Sequence, residues 1–438
     1  MKIKTKESTM VYPMEDTPSE HIWLSNLDLL QSRSHLPSAY LYKPNGSSGF
    51  FETKVLKEAL SKVLVPFYPV AGRLGKDEKG RLEIHCSSDK GVLFTEAEAD
   101  SAMDELGDFL RDDVLRFLVP KVDYSNAIDS YPLLVLQVTT FTCGGVSLGV
   151  GWHHTLADGY SALHFTMSWS SIARGLPISI PPFHDRTVLR CRDPPAPVFP
   201  HIEYDEPPAL YISPQDQKEN QLGSSNYLET LKITADQLET LKAKVKSKDD
   251  KTKYSTYEIL TAHIWRCACK ARGLSDDQET KLYISVDGRT RFSPPLPSGF
   301  FGNVVFHATP IALCGEVASE PLVDTAGRVN KTIKRMDDEY LRSAIDYLEE
   351  IGDPTRVSER VMKTGGKCPN LKIVSWARMP FLEAHDFGWG KPISMRAANP
   401  SEGKGHIISC PSGDENLVLA ICLGTHQMPA FKKLFYEF

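Results

Sequence analysis

Hydrophobic positions follow both helical and strand periodicities along this chain, without a regular strand–helix–strand repeat. In "FFETKVLKEALSKVLVPFYP", apolar residues recur at helical spacing from Val55 to Leu64, and Pro66 predicts the end of the helix. The segment "PLLVLQVTTFTCGGVSLGVGW" alternates like two strands joined by a turn at residues 143–145. A further helix is predicted from Tyr160 to Arg174. This mixture favours an α+β fold over a dinucleotide-binding sheet.

The second half of the chain contains two helix-start signals. Thr234 with Gln237, and Ser255 with Glu258, both fit capping boxes that open helices. Helices and strands are therefore mixed in both halves.

A proline-rich segment separates the two halves. Prolines recur throughout residues 177–214, and since proline has no amide donor and disfavours helix at the preceding residue, we expect an extended connector. We predict an N-terminal domain at 1–176, a crossover loop at 177–220 and a C-terminal domain at 221–438.

Composition narrows the class of protein. The 438 residues are 41% hydrophobic and 24% charged with a net charge of −6, so no overall positive field favours nucleic acid or anionic membranes. There is no apolar run of membrane-spanning length, and the stretch "MKIKTKESTMVYPMEDTP" lacks the apolar core of a secretory signal. Nine cysteines without framework spacing fit reduced thiols, and the pair Cys267 and Cys269 is a weak metal signal. We expect a cytoplasmic monomer without a metal site.

The stretch "GWHHTLADGY" places His153, His154 and Asp158 between a predicted buried strand and a predicted helix. These residues could be ordinary loop residues, metal ligands or a proton-handling site. The spacing differs from H-E-x-x-H, which disfavours zinc. An imidazole with a pKa of about 6.5 is well suited to take a proton at neutral pH, and loops at the end of a strand commonly carry catalytic residues.

Two other motifs match known patterns but lack their context. Residues 145–149 fit the G-x-S-x-G nucleophile elbow around Ser147, but the strand alternation continues past the serine, where the elbow needs a helix. Residues 386–388 spell the kinase triplet Asp-Phe-Gly without the other kinase motifs, so the kinase hypothesis fails.

Taken together, "HTLADG" at 154–159 and "DFGWG" at 386–390 resemble the BAHD family of plant acyl-CoA-dependent acyltransferases. The segments "LVPFYPVAGRL", "YSTYEILTAHIWRCACKARGL", "VDGRTR" and "GNVVF" are similar to its hydroxycinnamoyl-CoA:shikimate/quinate branch over nearly the whole chain. The resemblance implies two pseudo-symmetric mixed-sheet domains like chloramphenicol acetyltransferase, with a long crossover loop and a channel between the domains. It also implies a coenzyme A thioester as co-substrate, no permanently bound cofactor, and small-molecule substrates.

The resemblance implies direct transfer in a ternary complex. His154 would be the general base that takes the proton of the acceptor hydroxyl. Trp376 would donate its indole N–H to the thioester carbonyl oxygen, where negative charge develops. Asp158 would brace the catalytic loop by pairing with Arg289 rather than accept a proton.

Substrate-binding residues are also implied by position. His35, Ser38 and Tyr40 match positions near the hydroxycinnamoyl ring. Lys253 and the helix start at Ser255 fit a site for coenzyme A phosphates, and equally fit an ordinary solvated surface. The second motif is expected to be structural and comprises Asp386, Phe387, Gly388, Trp389 and Gly390.

Two differences from the shikimate-type enzymes leave the identity of the acyl acceptor undecided. Val374 stands where shikimate-type enzymes carry threonine, and the arginine that clamps the acceptor carboxylate has no aligned counterpart, although Arg360 or Arg356 could supply it after a small shift. The leading hypothesis is transfer onto shikimate or quinate. The alternatives are an aromatic amine or another alcohol as acceptor, a serine hydrolase built on Ser147, and a non-catalytic relative that binds coenzyme A esters.

Overall fold

The computed structural model describes residues 1–106, 115–208, 210, 226–246, 253–354, 357, 369–397, 401–410 and 415–438. The chain forms two compact units. The first comprises Met1–Arg192, Pro294–Val304 and Met379–Asn399, and the second comprises Asp193–Ser293, Val305–Arg378 and Pro400–Phe438. Each unit contains a mixed sheet with helices, which confirms the predicted α+β class with two domains.

The helices and strands follow one another in irregular order. In chain order they are β1 Ile3–Val11, β2 His21–Trp23, α1 Asn26–Leu29, β3 His35–Tyr42, α2 Thr53–Val63, β4 Arg73–Lys76, β5 Leu82–His85, β6 Val92–Ala99, β7 Leu134–Thr140, β8 Val146–His153, α3 Gly159–Ala173, β9 Asn226–Ile233, α4 Ala235–Lys244, α5 Thr256–Arg272, β10 Glu279–Asp287, β11 Val305–Ala308, β12 Ile311–Leu313, α6 Cys314–Ser319, α7 Leu322–Lys334, α8 Asp338–Glu350, β13 Leu371–Ser375, α9 Phe381–Ala384, β14 Ser394–Ala397, β15 Lys404–Ser409, β16 Leu417–Gly424 and α10 Met428–Phe435. No helix among the described residues is both long and apolar enough to cross a bilayer.

The first unit is built on a six-stranded sheet in the order β1-β6-β7-β8-β3-β14. β6 and β7 run parallel, and the other neighbours are antiparallel. The predicted hairpin is confirmed as β7 and β8, and its turn uses Gly144 at φ 77°, a conformation that glycine adopts without steric cost. The two predicted helices are confirmed as α2 and α3, which pack against each other. β8 is buried along its whole length, so it carries the chain through the core to the loop that follows.

The second unit contains a sheet in the order β11-β10-β13-β15-β16-β9, and β12 also pairs with β10. Here β13 runs parallel to both β10 and β15. Both predicted capping boxes are confirmed, with Thr234 opening α4 and Ser255 opening α5. α5 ends at Gly273, which adopts a left-handed conformation at φ 60°. Cys267 and Cys269 are buried in α5.

The division of the chain differs from the predicted boundaries at 1–176, 177–220 and 221–438. Residues 177–192 belong to the first unit, and so does the segment Met379–Asn399, which contains the "DFGWG" motif. The predicted boundaries place this motif in the C-terminal domain. It returns to the first unit because β14 pairs with β3, with Met395 opposite Tyr40. Proximity along the sequence gives no indication of this pairing.

Gly149 lies where β8 passes close to another segment of the first unit. A Cβ atom at this position would overlap the backbone carbonyl of Leu118. Gly149 is the second glycine of the G-x-S-x-G pattern, so close packing accounts for this glycine without any nucleophile elbow. Ser147 itself lies within β8 with its side chain fully buried, where no sharp turn exposes the hydroxyl.

We expect Gly149→Ala to lower the free energy of unfolding by about 1–3 kcal/mol or more, because backbone atoms must move to admit the methyl group. Gly49→Ala is the matched control, since its nearest new contact would be the Glu52 Oε2 atom at 3.9 Å. That control should stay within about 0.5 kcal/mol of the wild type. Urea denaturation of the three proteins tests the packing argument, which equal stabilities would contradict.

Candidate active site

His154 begins the turn that connects β8 to α3. Its backbone N–H donates to the Ser34 carbonyl at 3.2 Å, and the Leu156 N–H closes the turn onto the His153 carbonyl at 2.9 Å. Every other residue from 151 to 158 is buried, whereas His154 is partly exposed. The loop therefore presents one imidazole from an otherwise buried segment.

Asp158 is the N-cap of α3 and is only 2% exposed. Its Oδ1 accepts a hydrogen bond from the Ser161 N–H at 3.0 Å, and its Oδ2 accepts one from the Val304 N–H at 2.9 Å. The carboxylate thus joins the end of the loop to the helix start and to residue 304. These bonds suit a bracing role.

The predicted partner of Asp158, Arg289, lies in the second unit at the end of β10. There its Nη1 atom forms an ion pair with Asp287 at 2.9 Å, and its side chain is 14% exposed. Pairing between Arg289 and Asp158 stays a prediction.

The carbonyl groups of the loop are held by two residues that sequence analysis did not single out. Asn303 Nδ2 donates to the carbonyls of His154 at 3.0 Å and Thr155 at 3.3 Å. Arg186 Nη2 donates to the carbonyl of Leu156 at 2.8 Å. Three successive loop carbonyls therefore have fixed partners.

Both of these residues converge on the buried carboxylate of Asp28. Its Oδ1 accepts from the backbone N–H and the Nδ2 of Asn303, each at 2.9 Å, and lies 2.9 Å from Arg186 Nη1. Its Oδ2 accepts from the N–H and the hydroxyl of Ser25, which closes the capping box of α1. Asp28 and Arg186 are each only 1% exposed in their side chains. The Ser-x-x-Asp pattern at 25–28 and the "GNVVF" segment were the signals available in the sequence.

His153, the neighbour of His154, is fully buried in the first unit. Its ring stacks with Tyr131 at a centroid distance of 5.9 Å and meets His35 edge-on at 5.2 Å. Burial, followed by the nearby His35 and His154, lowers the pKa of His153 to about 3. His153 is therefore neutral at physiological pH, and the two adjacent histidines have different surroundings.

The predicted acyl-binding residues all lie on β3 but on two of its faces. His35 hydrogen-bonds through Nδ1 with the Tyr124 hydroxyl at 2.7 Å and through Nε2 with the Pro132 carbonyl at 2.8 Å. Burial lowers its pKa to about 4. Strand alternation places Ser38 and Tyr40 on the opposite face, where Tyr40 stacks on His385 at 3.4 Å. The strand does not bring the three side chains onto one surface.

The "DFGWG" motif forms a turn in the first unit. Asp386 Oδ1 accepts from the N–H groups of Gly388 at 2.9 Å and Gly390 at 3.2 Å, and both glycines have φ near 100°. Phe387 is buried against Trp169, and the ring of Trp389 lies 5.1 Å from that of Phe51. These contacts anchor the chain before β14, which agrees with a structural motif.

In the second unit, Trp376 follows β13, and Val374 lies within that strand. The Trp376 N–H donates to the Ile407 carbonyl at 2.7 Å, so it continues the pairing of β13 with β15. Its indole ring is partly exposed and lies 4.5 Å from the ring of His406, which is paired in register with Val374.

The helix start proposed for coenzyme A phosphates is already occupied by a carboxylate. Glu258 Oε2 accepts from the N–H of Ser255 at 2.6 Å and from its hydroxyl at 2.9 Å, and Oε1 accepts from Asn330 at 2.8 Å. This negative charge disfavours a phosphate at the same helix end. Lys253 is exposed. The candidate clamps Arg356 and Arg360 lie outside the described residues.

Solved structures with the same fold span nearly the whole chain. Vinorine synthase is 21% identical, with a TM-score of 0.76, and covers 98% of this chain and 96% of its own. TRI101 of F. sporotrichioides, solved with coenzyme A and T-2, is 20% identical, with a TM-score of 0.73 over 95% and 97% of the two chains. These likenesses establish the fold.

Similarity of sequence establishes the family. The family model described as Transferase family matches residues 1–438, and the chain belongs to this family, the BAHD acyltransferases. A shikimate O-hydroxycinnamoyltransferase from Nicotiana tabacum is 52% identical, and a hydroxycinnamoyltransferase from Narcissus pseudonarcissus is 50% identical, each over 100% of both chains. A hydroxycinnamoyl-CoA:5-hydroxyanthranilate N-hydroxycinnamoyltransferase from Avena sativa is 45% identical over 99% of both chains. The chain is thus an acyltransferase, as the two motifs predicted.

We expect Arg186→Met to lower the free energy of unfolding by about 3 kcal/mol, because it leaves Asp28 as a buried charge without its cation. Arg190→Met is the matched control, since Arg190 is exposed and stacks on Trp23 at 5.1 Å. The control should lose about 1 kcal/mol or less. Urea unfolding at pH 7 measures both variants, and similar losses in the two would refute a special role for the buried pair.

Acid sensitivity provides a second test, through His153. The folded pKa of about 3 lies below the ordinary value of about 6.5, so in this window the unfolded chain binds a proton that the folded chain does not. The contribution of neutral His153 to the free energy of unfolding is therefore fully present above pH 6.5 and is lost as the pH falls. Between pH 7 and pH 5, the free energy of unfolding should fall in both proteins. We expect the fall in His153→Phe to be about 2 kcal/mol smaller than the fall in the wild type. Denaturant titrations at both pH values measure the difference, and identical pH dependence would show that His153 protonates freely in the fold.

Proposed function

We propose that this acyltransferase moves a hydroxycinnamoyl group from coenzyme A to a hydroxyl group of shikimate or quinate. The observation that carries the proposal is the partly exposed His154, presented by an otherwise buried loop whose carbonyls are fixed by Asn303 and Arg186. A base held in this way can meet an acceptor without rearranging the loop. The tobacco relative, named for shikimate, supports the choice of acceptor.

The reaction is a direct transfer. His154 takes the proton of the acceptor hydroxyl as the oxygen forms a bond to the thioester carbonyl carbon. The carbon–sulfur bond then breaks, and the coenzyme A thiolate leaves and takes up the proton from the imidazolium. Trp376 donates its indole N–H to the carbonyl oxygen while that oxygen carries negative charge. Asp158 keeps its oxygens on backbone amides and positions the loop.

The structure offers no support for the hydrolase hypothesis. The Ser147 hydroxyl is buried and has no hydrogen-bond partner among the described residues, so no base is placed to activate it. A hydrolase would also need no acceptor, whereas a transferase releases thiol only when an acceptor is present.

An aromatic amine is the second candidate acceptor. The oat relative is named for transfer to 5-hydroxyanthranilate, and its identity over the full chain is only moderately lower than that of the tobacco relative. Anthranilates and shikimate share a carboxylate but differ in the attacking atom. The acceptor nucleophile is therefore a separate question from carboxylate recognition.

The first experiment measures coumaroyl-CoA-dependent thiol release with shikimate, quinate, 5-hydroxyanthranilate or no acceptor. We expect release that requires shikimate or quinate and falls by about 10²–10⁴-fold in kcat for His154→Ala, since a general base contributes that much. His426→Ala, at an exposed histidine, is the matched control and should retain wild-type activity. Ser147→Ala should also remain active.

Each contrary outcome points to a different error. If thiol is released only with 5-hydroxyanthranilate, the proposed mechanism still holds, but the acceptor is an amine rather than an alcohol. Release without any acceptor, lost in Ser147→Ala and retained in His154→Ala, contradicts the proposal. Binding of coumaroyl-CoA without turnover under any condition would indicate a non-catalytic relative.

A further inference from the structure

Two lysines and a histidine lie together on one face of the sheet in the second unit. β13 and β15 run parallel with Lys372 opposite Lys404, and Val374 opposite His406. Ile373 and Ile407 alternate with them and are buried on the other face. Strand alternation therefore places both ammonium groups and the imidazole on the same side, next to Trp376.

Positive charges are unfavourable at this position. Lys372 is only 8% exposed, and burial, together with the nearby Lys404, lowers its pKa to about 7. Lys404 is partly exposed, and burial lowers its pKa to about 8. Burial and these two lysines lower the pKa of His406 well below its ordinary value. Within the part of the chain that the structure describes, no carboxylate forms an ion pair with Lys404. A lysine pair in such surroundings is stabilised when an anion binds between the two side chains.

The spacing suits a small carboxylic acid. Neighbouring strands lie about 4.8 Å apart, so ammonium groups on paired residues can each take one oxygen of the same carboxylate. Lys404 and His406 are two residues apart on one strand, a distance of about 6.6 Å. A ligand with a single six-membered ring can therefore bind the lysines at one end and reach the ring of His406, 4.5 Å from that of Trp376, at the other.

We propose that Lys372 and Lys404 bind the carboxylate of the acyl acceptor and thereby select acidic acceptors over neutral ones. The inference rests on the proposed function, and it specifies which residues recognise the acid. It applies equally to a hydroxyl or an amine nucleophile, provided that the acceptor carries a carboxylate. Lysine serves here as a compact charge, and the two strands supply the geometry that a guanidinium would otherwise supply.

The test compares Lys404→Met and Lys372→Met with Lys232→Met, an exposed lysine on β9 of the same sheet. We expect the KM for shikimate to rise at least tenfold in the first two variants and to stay unchanged in the third. The KM for coumaroyl-CoA should not change in any of them. Methyl shikimate, which lacks the charge, should be a poor acceptor for the wild type and equally poor for the two variants.

Thermal unfolding and calorimetry distinguish ligand binding from a structural role. Because a positive charge is unfavourable at this position, we expect the unfolding temperature of Lys404→Met to be equal to or above that of the wild type. Shikimate should raise the unfolding temperature of the wild type and of Lys232→Met, but much less that of Lys404→Met. Titration calorimetry with shikimate should give the same order of affinities without any turnover.

The two proposals fail in different ways. An unchanged KM and an unchanged affinity for shikimate in both lysine variants overturn the lysine site and leave the transferase intact. If the KM rises for coumaroyl-CoA but not for shikimate, the lysines bind a coenzyme A phosphate, and the proposed carboxylate site is also overturned. If the wild type shows no acceptor-dependent thiol release, the proposed function fails, and calorimetry still decides whether the lysines bind the acid.

Discussion

The buried charge of Asp28 is the interaction on which the loop around His154 depends. A carboxylate removed from water must be compensated by a cation and by hydrogen bonds, and here Arg186 and Asn303 provide them. Both residues also donate hydrogen bonds to loop carbonyls. Because the pair is inaccessible to solvent, salt screens it little. The carbonyl groups of the loop are therefore positioned by a buried ion pair in the core of the first unit.

The two ends of this loop are fixed by different means. At one end β8 is buried throughout, and at the other Asp158 caps α3 and holds the amide of residue 304. The short span between them leaves one side chain partly exposed. Because the backbone of the loop is already fixed, ordering it on binding a ligand would cost little conformational entropy.

Patterns of neighbouring residues predicted the helices and strands of this structure well. They could not predict contacts between residues that are far apart in the sequence. The capping boxes at Thr234 and Ser255 and the hairpin of β7 and β8 follow from a few neighbouring residues. The link from Asp28 to the loop could not be predicted, because Arg186 and Asn303 lie more than 150 residues away from Asp28. The lysines of β13 and β15 alternate with apolar residues, a pattern that ordinarily indicates a solvated face. Only the pairing of the strands shows that the two charges are adjacent.

The return of residues 379–399 to the first unit bears on how the protein is made. β3 has β14 as its outer neighbour, and β14 begins only at Ser394, more than 350 residues after β3 ends at Tyr42. During synthesis, β3 therefore remains an open sheet edge until the residues of β14 have also been made. Open edges pair readily with strands of other chains. A nascent or prematurely terminated chain of this protein exposes such an edge in the strand that lies beside β8, which leads into the loop of His154.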